Sequence, residues 1–272
     1  EAENAYQEKL MADTTELQAK LFQEMKGRIK EDDSSVPMKD GPYAYGTSFK
    51  LGGQHPRYFR TPRDGGEQAI FLDGDAEAEG HPYFRIGGVG HSNDHKSLLW
   101  AFDDKGSEFF ALRVRDLATG KDSPETVSDT GGGGTWDAND NGFFYTRVDA
   151  NHRPSKIFYH ALGTPESEDR LVYEEKDPGY FASVGGTRRN DWIMISVNDH
   201  ETTEYRLLDA RKPSSKPRLV VRRKTGVQYD LEEGGDIFFI LTNADGAKDF
   251  KIMTAPVEDP IQANWKELIP HE

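Results

Sequence analysis

The sequence predicts an all-β fold, a partial β-propeller of about five four-stranded blades, preceded by an α-helical segment. Three observations predict it: one strand motif recurs five times, a second recurs with it at the same period, and turn residues sit between the two. The first motif reads Pro42-Tyr43-Ala44-Tyr45, Ser97-Leu98-Leu99-Trp100, Gly142-Phe143-Phe144-Tyr145, Asp191-Trp192-Ile193-Met194 and Asp236-Ile237-Phe238-Phe239. Its second residues lie 55, 45, 49 and 45 positions apart. The second motif, anchored on Tyr58, Phe109, Ile157, Tyr205 and Phe250, runs at intervals of 51, 48, 48 and 45.

The helical segment comes first and spans residues 1–37. Leu17, Leu21, Met25 and Ile29 recur at four-residue steps with Phe22 beside them, which puts an apolar stripe on one helix face. Asp13 and Glu16 form a candidate capping pair at its start, and Pro37 stops helical continuation. An earlier helix runs through Tyr6 and Leu10. Two short helices cannot bury these faces on each other, so they are expected to dock on the propeller or on a partner domain.

The propeller is expected over 38–272, with blades at 38–80, 81–129, 130–175, 176–223 and 224–272, the first incomplete. Outer strands fall at Gln68–Leu72, Glu125–Val127, Arg170–Tyr173, Pro217–Val221 and Trp265–Ile269. Inner strands precede at Tyr83–Val89, Gly179–Gly185 and Val227–Leu231. Asp104-Lys105-Gly106, Asn139-Asp140-Asn141-Gly142 and Asn243-Ala244-Asp245-Gly246 supply the Asn, Asp and Gly that tight turns require. The run Gly131–Gly134 falls where an innermost strand should start, so close packing of backbones explains it better than a phosphate cradle.

Composition narrows the function. The chain has no cysteine, which removes disulfides and thiolate metal sites and suits a cytoplasmic location. Nothing reads as a membrane span or signal peptide. A formal charge of −14, from 48 acidic and 34 basic residues, argues against nucleic acid as a partner.

Each motif that could carry chemistry has a plainer reading. Gly90-His91-Ser92-Asn93-Asp94 opens like a nucleophile elbow but has Asp94 where that turn needs glycine. His91 and His95 stand four apart in a loop, with no third metal ligand implied. Asp137, Asn139 and Asn141 imitate a calcium loop, yet Val148 occupies the place of its closing glutamate. Asp73, Asp75, Glu77 and Glu79 read as a solvated acidic loop. No residue here is assigned a catalytic, cofactor-binding or metal-ligating role, and no cofactor is expected.

Several segments resemble oligopeptidase B, a branch of the prolyl oligopeptidase family. They are Met25–Pro37 followed by Asp40–Tyr45, then Glu3–Tyr6, Arg113–Gly120, His160–Pro165, Leu171–Asp177 and Asn264–Pro270. The resemblance implies a seven-bladed propeller that caps an α/β-hydrolase domain in a serine endopeptidase cutting short peptides after Arg or Lys. Its Ser, Asp and His triad would lie on that hydrolase domain, outside this chain. The chain would then be the non-catalytic gating portion, inactive alone, with the hydrolase domain and short basic peptides as partners. Exposed blade edges would favour self-association. A stand-alone propeller that binds a protein or peptide is the alternative.

Overall fold

A computed structural model describes residues 1–271, which fall into two compact units, Glu1–Glu79 and Gly80–Glu272. In the first, α1 (Ala2–Met11) and α2 (Thr15–Lys26) are separated by a 3₁₀ turn, Ala12–Thr14. The expected Asp13/Glu16 cap is not made. Thr14 takes the N-cap position and its hydroxyl donates instead to the Met11 carbonyl at 2.7 Å, because the turn pulls Asp13 out of line. Neither helix buries a residue, and Leu17 and Phe22 remain exposed.

The same unit holds an antiparallel sheet of β1 (Met38–Asp40), β2 (Tyr43–Ser48), β3 (Arg57–Pro62) and β4 (Ala69–Asp73), in sequence order. The first blade, expected to be incomplete, therefore has all four strands. Its edge strand β1 was missed because three exposed residues carry no apolar alternation. Asp73 caps the short helix α3 (Gly74–Glu77), and Asp75 accepts from the N–H groups of Gln54 and His55 at 2.9 and 3.0 Å.

The second unit continues the pattern. Its first eight strands are β5 (Arg85–His91), β6 (Ser97–Asp103), β7 (Phe110–Asp116), β8 (Lys121–Asp122), β9 (Val127–Trp136), β10 (Gly142–Val148), β11 (Pro154–Ala161) and β12 (Arg170–Glu174). Two separate four-stranded sheets follow: β13 (Phe181–Gly186), β14 (Trp192–Asn198), β15 (Thr203–Asp209) and β16 (Arg218–Leu219), then β17 (Tyr229–Glu233), β18 (Ile237–Thr242), β19 (Lys251–Pro256) and β20 (Lys266–Ile269).

One feature departs from a row of separate blades: β5–β12 form a single eight-stranded sheet. Strand β9 is the join. Its first half pairs with β7 (Val127↔Leu112, Thr130↔Phe110) and its second half with β10 (Gly134↔Tyr145, Trp136↔Phe143). The segments expected as the outer edge of one blade and the inner strand of the next are thus one strand.

Cores lie between successive blades, as stacked sheets require. Leu99, Ala101, Leu112, Trp136, Phe143 and Tyr145 fill the first. Phe144 points the other way, against Ile193 and Leu208, while Ile157 packs with Ile195 and Val197. Leu207, Tyr229, Phe238 and Ile240 fill the next. Strand period two decides this: Phe143 and Phe144 are adjacent and face opposite neighbours.

Candidate functional site

In the second unit the inner strands come together at glycine. A Cβ on Gly87 would lie 2.7 Å from the Gly132 carbonyl oxygen, and one on Gly132 would lie 2.8 Å from the Phe110 ring. Gly132 also has φ +85°, a left-handed conformation that side chains resist. The glycine run thus lets β9 pass against β5, as packing demands.

The charged side chains left exposed on β5, β9, β13 and β17 are mostly acidic: Asp129 on β9, and Asp230 and Glu232 on β17, against Arg85 on β5. Asp230 accepts the Tyr205 hydroxyl at 2.8 Å, and burial, reinforced by this carboxylate, pushes that phenol well above its usual range. Beside it, Asn198, Asp199, Tyr205, Gln228 and Phe250 border a groove of about 480 Å³. Backbone N–H groups of Glu201 and Thr202 hold Asp199 below the ordinary carboxylate range. An open groove with two carboxyl groups and aromatic walls suits a cationic side chain. Its two aliphatic hydroxyls are engaged: Thr203 donates to the Tyr229 carbonyl at 2.8 Å, and Ser196 shares a hydrogen bond with Ser183 at 2.6 Å.

The inner hairpins are tied to one another. Asp140, at φ +56°, accepts the N–H and side-chain amide of Asn93 at 2.8 and 2.7 Å, and the Asp94 N–H at 2.9 Å. Asn190 donates to Asn93 Oδ1 at 2.7 Å. Three successive hairpins thereby share one polar lattice.

The motifs weighed from sequence resolve into turn chemistry. Ser92 is fully buried; its hydroxyl donates to Asp94 and accepts the N–H groups of Lys96 and Ser97. The His91 and His95 rings lie 4.7 Å apart, and no cluster of three metal-ligating side chains occurs among the described residues. Asp137 accepts the N–H groups of Asn139 and Asn141 with one oxygen and the Tyr159 hydroxyl with the other.

Sequence reasoning missed two buried polar networks. His160 Nδ1 lies 2.7 Å from Asp169 Oδ1, whose other oxygen accepts the Tyr145 hydroxyl at 2.8 Å. Burial first, then Asp169, pushes the Tyr145 phenol far up. Arg223 and Glu175 pair at 2.9 Å. Burial raises the Glu175 carboxyl, but hydrogen bonds from Arg223, the Asp177 N–H and Tyr173 prevail and hold it at about 2. No local pattern announces either network, since the partners are brought together by blade packing.

A family model described as the prolyl oligopeptidase N-terminal β-propeller domain matches residues 1–272. The chain belongs to this family. Dipeptidyl aminopeptidase BI of Pseudoxanthomonas mexicana is 34% identical over 99% of this chain and 40% of its own length. Protease 2 of Moraxella lacunata is 27% identical over 95% and 39%. Among solved structures, oligopeptidase B from Leishmania major superposes with a TM-score of 0.91 at 28% identity, covering 98% of this chain and 38% of that one. Oligopeptidase B from Trypanosoma brucei with covalently bound antipain gives 0.88 at 29% identity, covering 99% and 38%. The chain therefore spans about two fifths of the length of the curated relatives it matches, and the matched region is the propeller. The architecture is a partial β-propeller with an N-terminal helical segment. No helix among the described residues is long and apolar enough to cross a membrane.

Proposed function

We propose that this chain is the gating and substrate-filtering portion of an oligopeptidase B-like serine endopeptidase that cleaves short peptides after Arg or Lys. The helical segment, 1–37, and the propeller, 38–272, then act against an α/β-hydrolase domain that carries the Ser, Asp and His triad. The likeness to two oligopeptidase B structures over nearly the whole chain carries this reading. Asp230 and Glu232 on inner strand β17 support it, because a negative field concentrates basic peptides. The lack of cysteine supports a cytoplasmic setting.

A second reading, removal of dipeptides from peptide amino termini, is favoured by the 34% identity to a dipeptidyl aminopeptidase. One assay separates them. The full-length gene product is incubated with an amino-blocked peptide carrying an internal arginine and with the same peptide unblocked. Cleavage of both after arginine supports the endopeptidase; turnover of the unblocked peptide alone, two residues at a time, supports the second reading. The present chain by itself is expected to cleave neither.

A further inference from the structure

On the outer rim of the second unit, away from the inner strands, a groove of about 460 Å³ runs between edge strand β12 and the loop before β16. Arg170, Tyr173, Arg206, Ser214, Ser215 and Lys216 line it. Its charge runs against a chain that carries −14 overall.

Two of the three cations have no bonded counter-charge among the described residues. Arg170 donates to the Pro213 carbonyl and lies 5.7 Å from the Tyr159 ring centre, with no carboxylate bonded to it among the described residues. Burial accordingly pulls its pKa below the usual arginine value, the mark of a desolvated cation without an acid. Lys216 is exposed and has no hydrogen bond or ion pair among the described residues. Arg206 pairs with Glu204 at 2.5 Å and sits 4.4 Å over the Tyr173 ring, which fixes its guanidinium at the groove.

We propose that this groove binds a small phosphate-class dianion, held by Arg170, Arg206 and Lys216 with the Ser214 and Ser215 hydroxyls as further donors. Planar guanidinium forks match the paired oxygens of such an anion, and a flexible ammonium supplies a point charge. One net positive charge remains at each of Arg170 and Lys216 after Glu204 is set against Arg206, so a dianion balances the groove. Nearby Glu174 is engaged by Lys156 at 3.5 Å and leaves that balance unchanged.

The test is calorimetric titration of the protein with inorganic phosphate and with glycerol phosphate, against sodium chloride at equal ionic strength. Saturable binding of either phosphate is expected, and which one binds tells a free anion from an esterified one. Lys216→Gln should weaken it about tenfold and Lys216→Glu should abolish it. Lys216 is exposed and unpartnered, so both variants are expected to fold. Arg170→Gln should abolish binding too, with circular dichroism confirming its fold. Heats no different from chloride for both phosphates would overturn the proposal, as would unchanged affinity in Lys216→Glu.

Discussion

Asp140 grips Asn93 across 47 residues of sequence, taking both its backbone N–H and its side-chain amide on one carboxylate oxygen at 2.8 and 2.7 Å. The other oxygen takes the Asp94 N–H, so a single side chain locks the hairpin before β10 to the hairpin before β6. Asp140→Ala removes three acceptor contacts and also places alanine at φ +56°. A loss of about 2–3 kcal/mol in urea unfolding is expected, with Asp140→Asn losing less because asparagine tolerates that conformation. Equal stability of the alanine variant would show that the lattice does not hold the blades.

Glu175 makes stability fall in acid. Its carboxyl is depressed to about 2 from 4.5, so its contribution is present above pH 4.5 and is lost as pH drops toward 2. About 2–3 kcal/mol is at stake. Arg223→Met should abolish most of that acid-dependent loss, which denaturant titrations at a series of pH values would show.

Glu233 behaves oppositely. It is only 7% exposed, one carboxylate oxygen has no hydrogen-bond partner among the described residues, and burial raises its pKa against a hydrogen bond to Thr187, with Asp191 adding to the rise. A raised carboxyl favours the folded state at low pH and loses that advantage as pH climbs through the folded value. Glu233→Gln mimics the protonated group. It should therefore raise the melting temperature at pH 7 by a few degrees, with little gain at pH 4. A lower melting temperature at pH 7 would contradict this account.

Gly132→Ala tests the convergence of the inner strands. The new methyl meets the Phe110 ring at 2.8 Å in a left-handed backbone, so a loss of about 2–4 kcal/mol is expected. Gly120→Ala, also at positive φ but with open space around it, should cost only about 1–2 kcal/mol. Comparable losses would mean that the backbone conformation, not the crowding, sets the cost.

Phe239 and Leu241 project from β18 on the face opposite the buried Phe238 and Ile240, and both are exposed. Such a face is expected to drive association of the chain. Sedimentation at rising concentration should show oligomers, and Phe239→Ser with Leu241→Ser should shift them toward monomer.

The sequence by itself determined most of the strand ladders and hairpins, because most strands carry their own apolar run or alternation and most turns their own Asn, Asp or Gly. Trp192–Asn198 illustrates this: every second side chain is buried along the whole strand. It also determined the oligopeptidase B resemblance, which rests on contiguous segments. What only the tertiary structure decided depends on residues far apart in the chain. The joining of two blades through β9 follows from pairing partners on both sides of one glycine-rich stretch, which reads equally well as an end and a beginning. The rim groove exists because Arg170 reaches Pro213, 43 positions on, and the His160 network because Asp169 is folded back onto it. Local periodicity reports which face of a strand is dry, but the neighbour that dries it, and the charge it brings, is set by how the sheets stack.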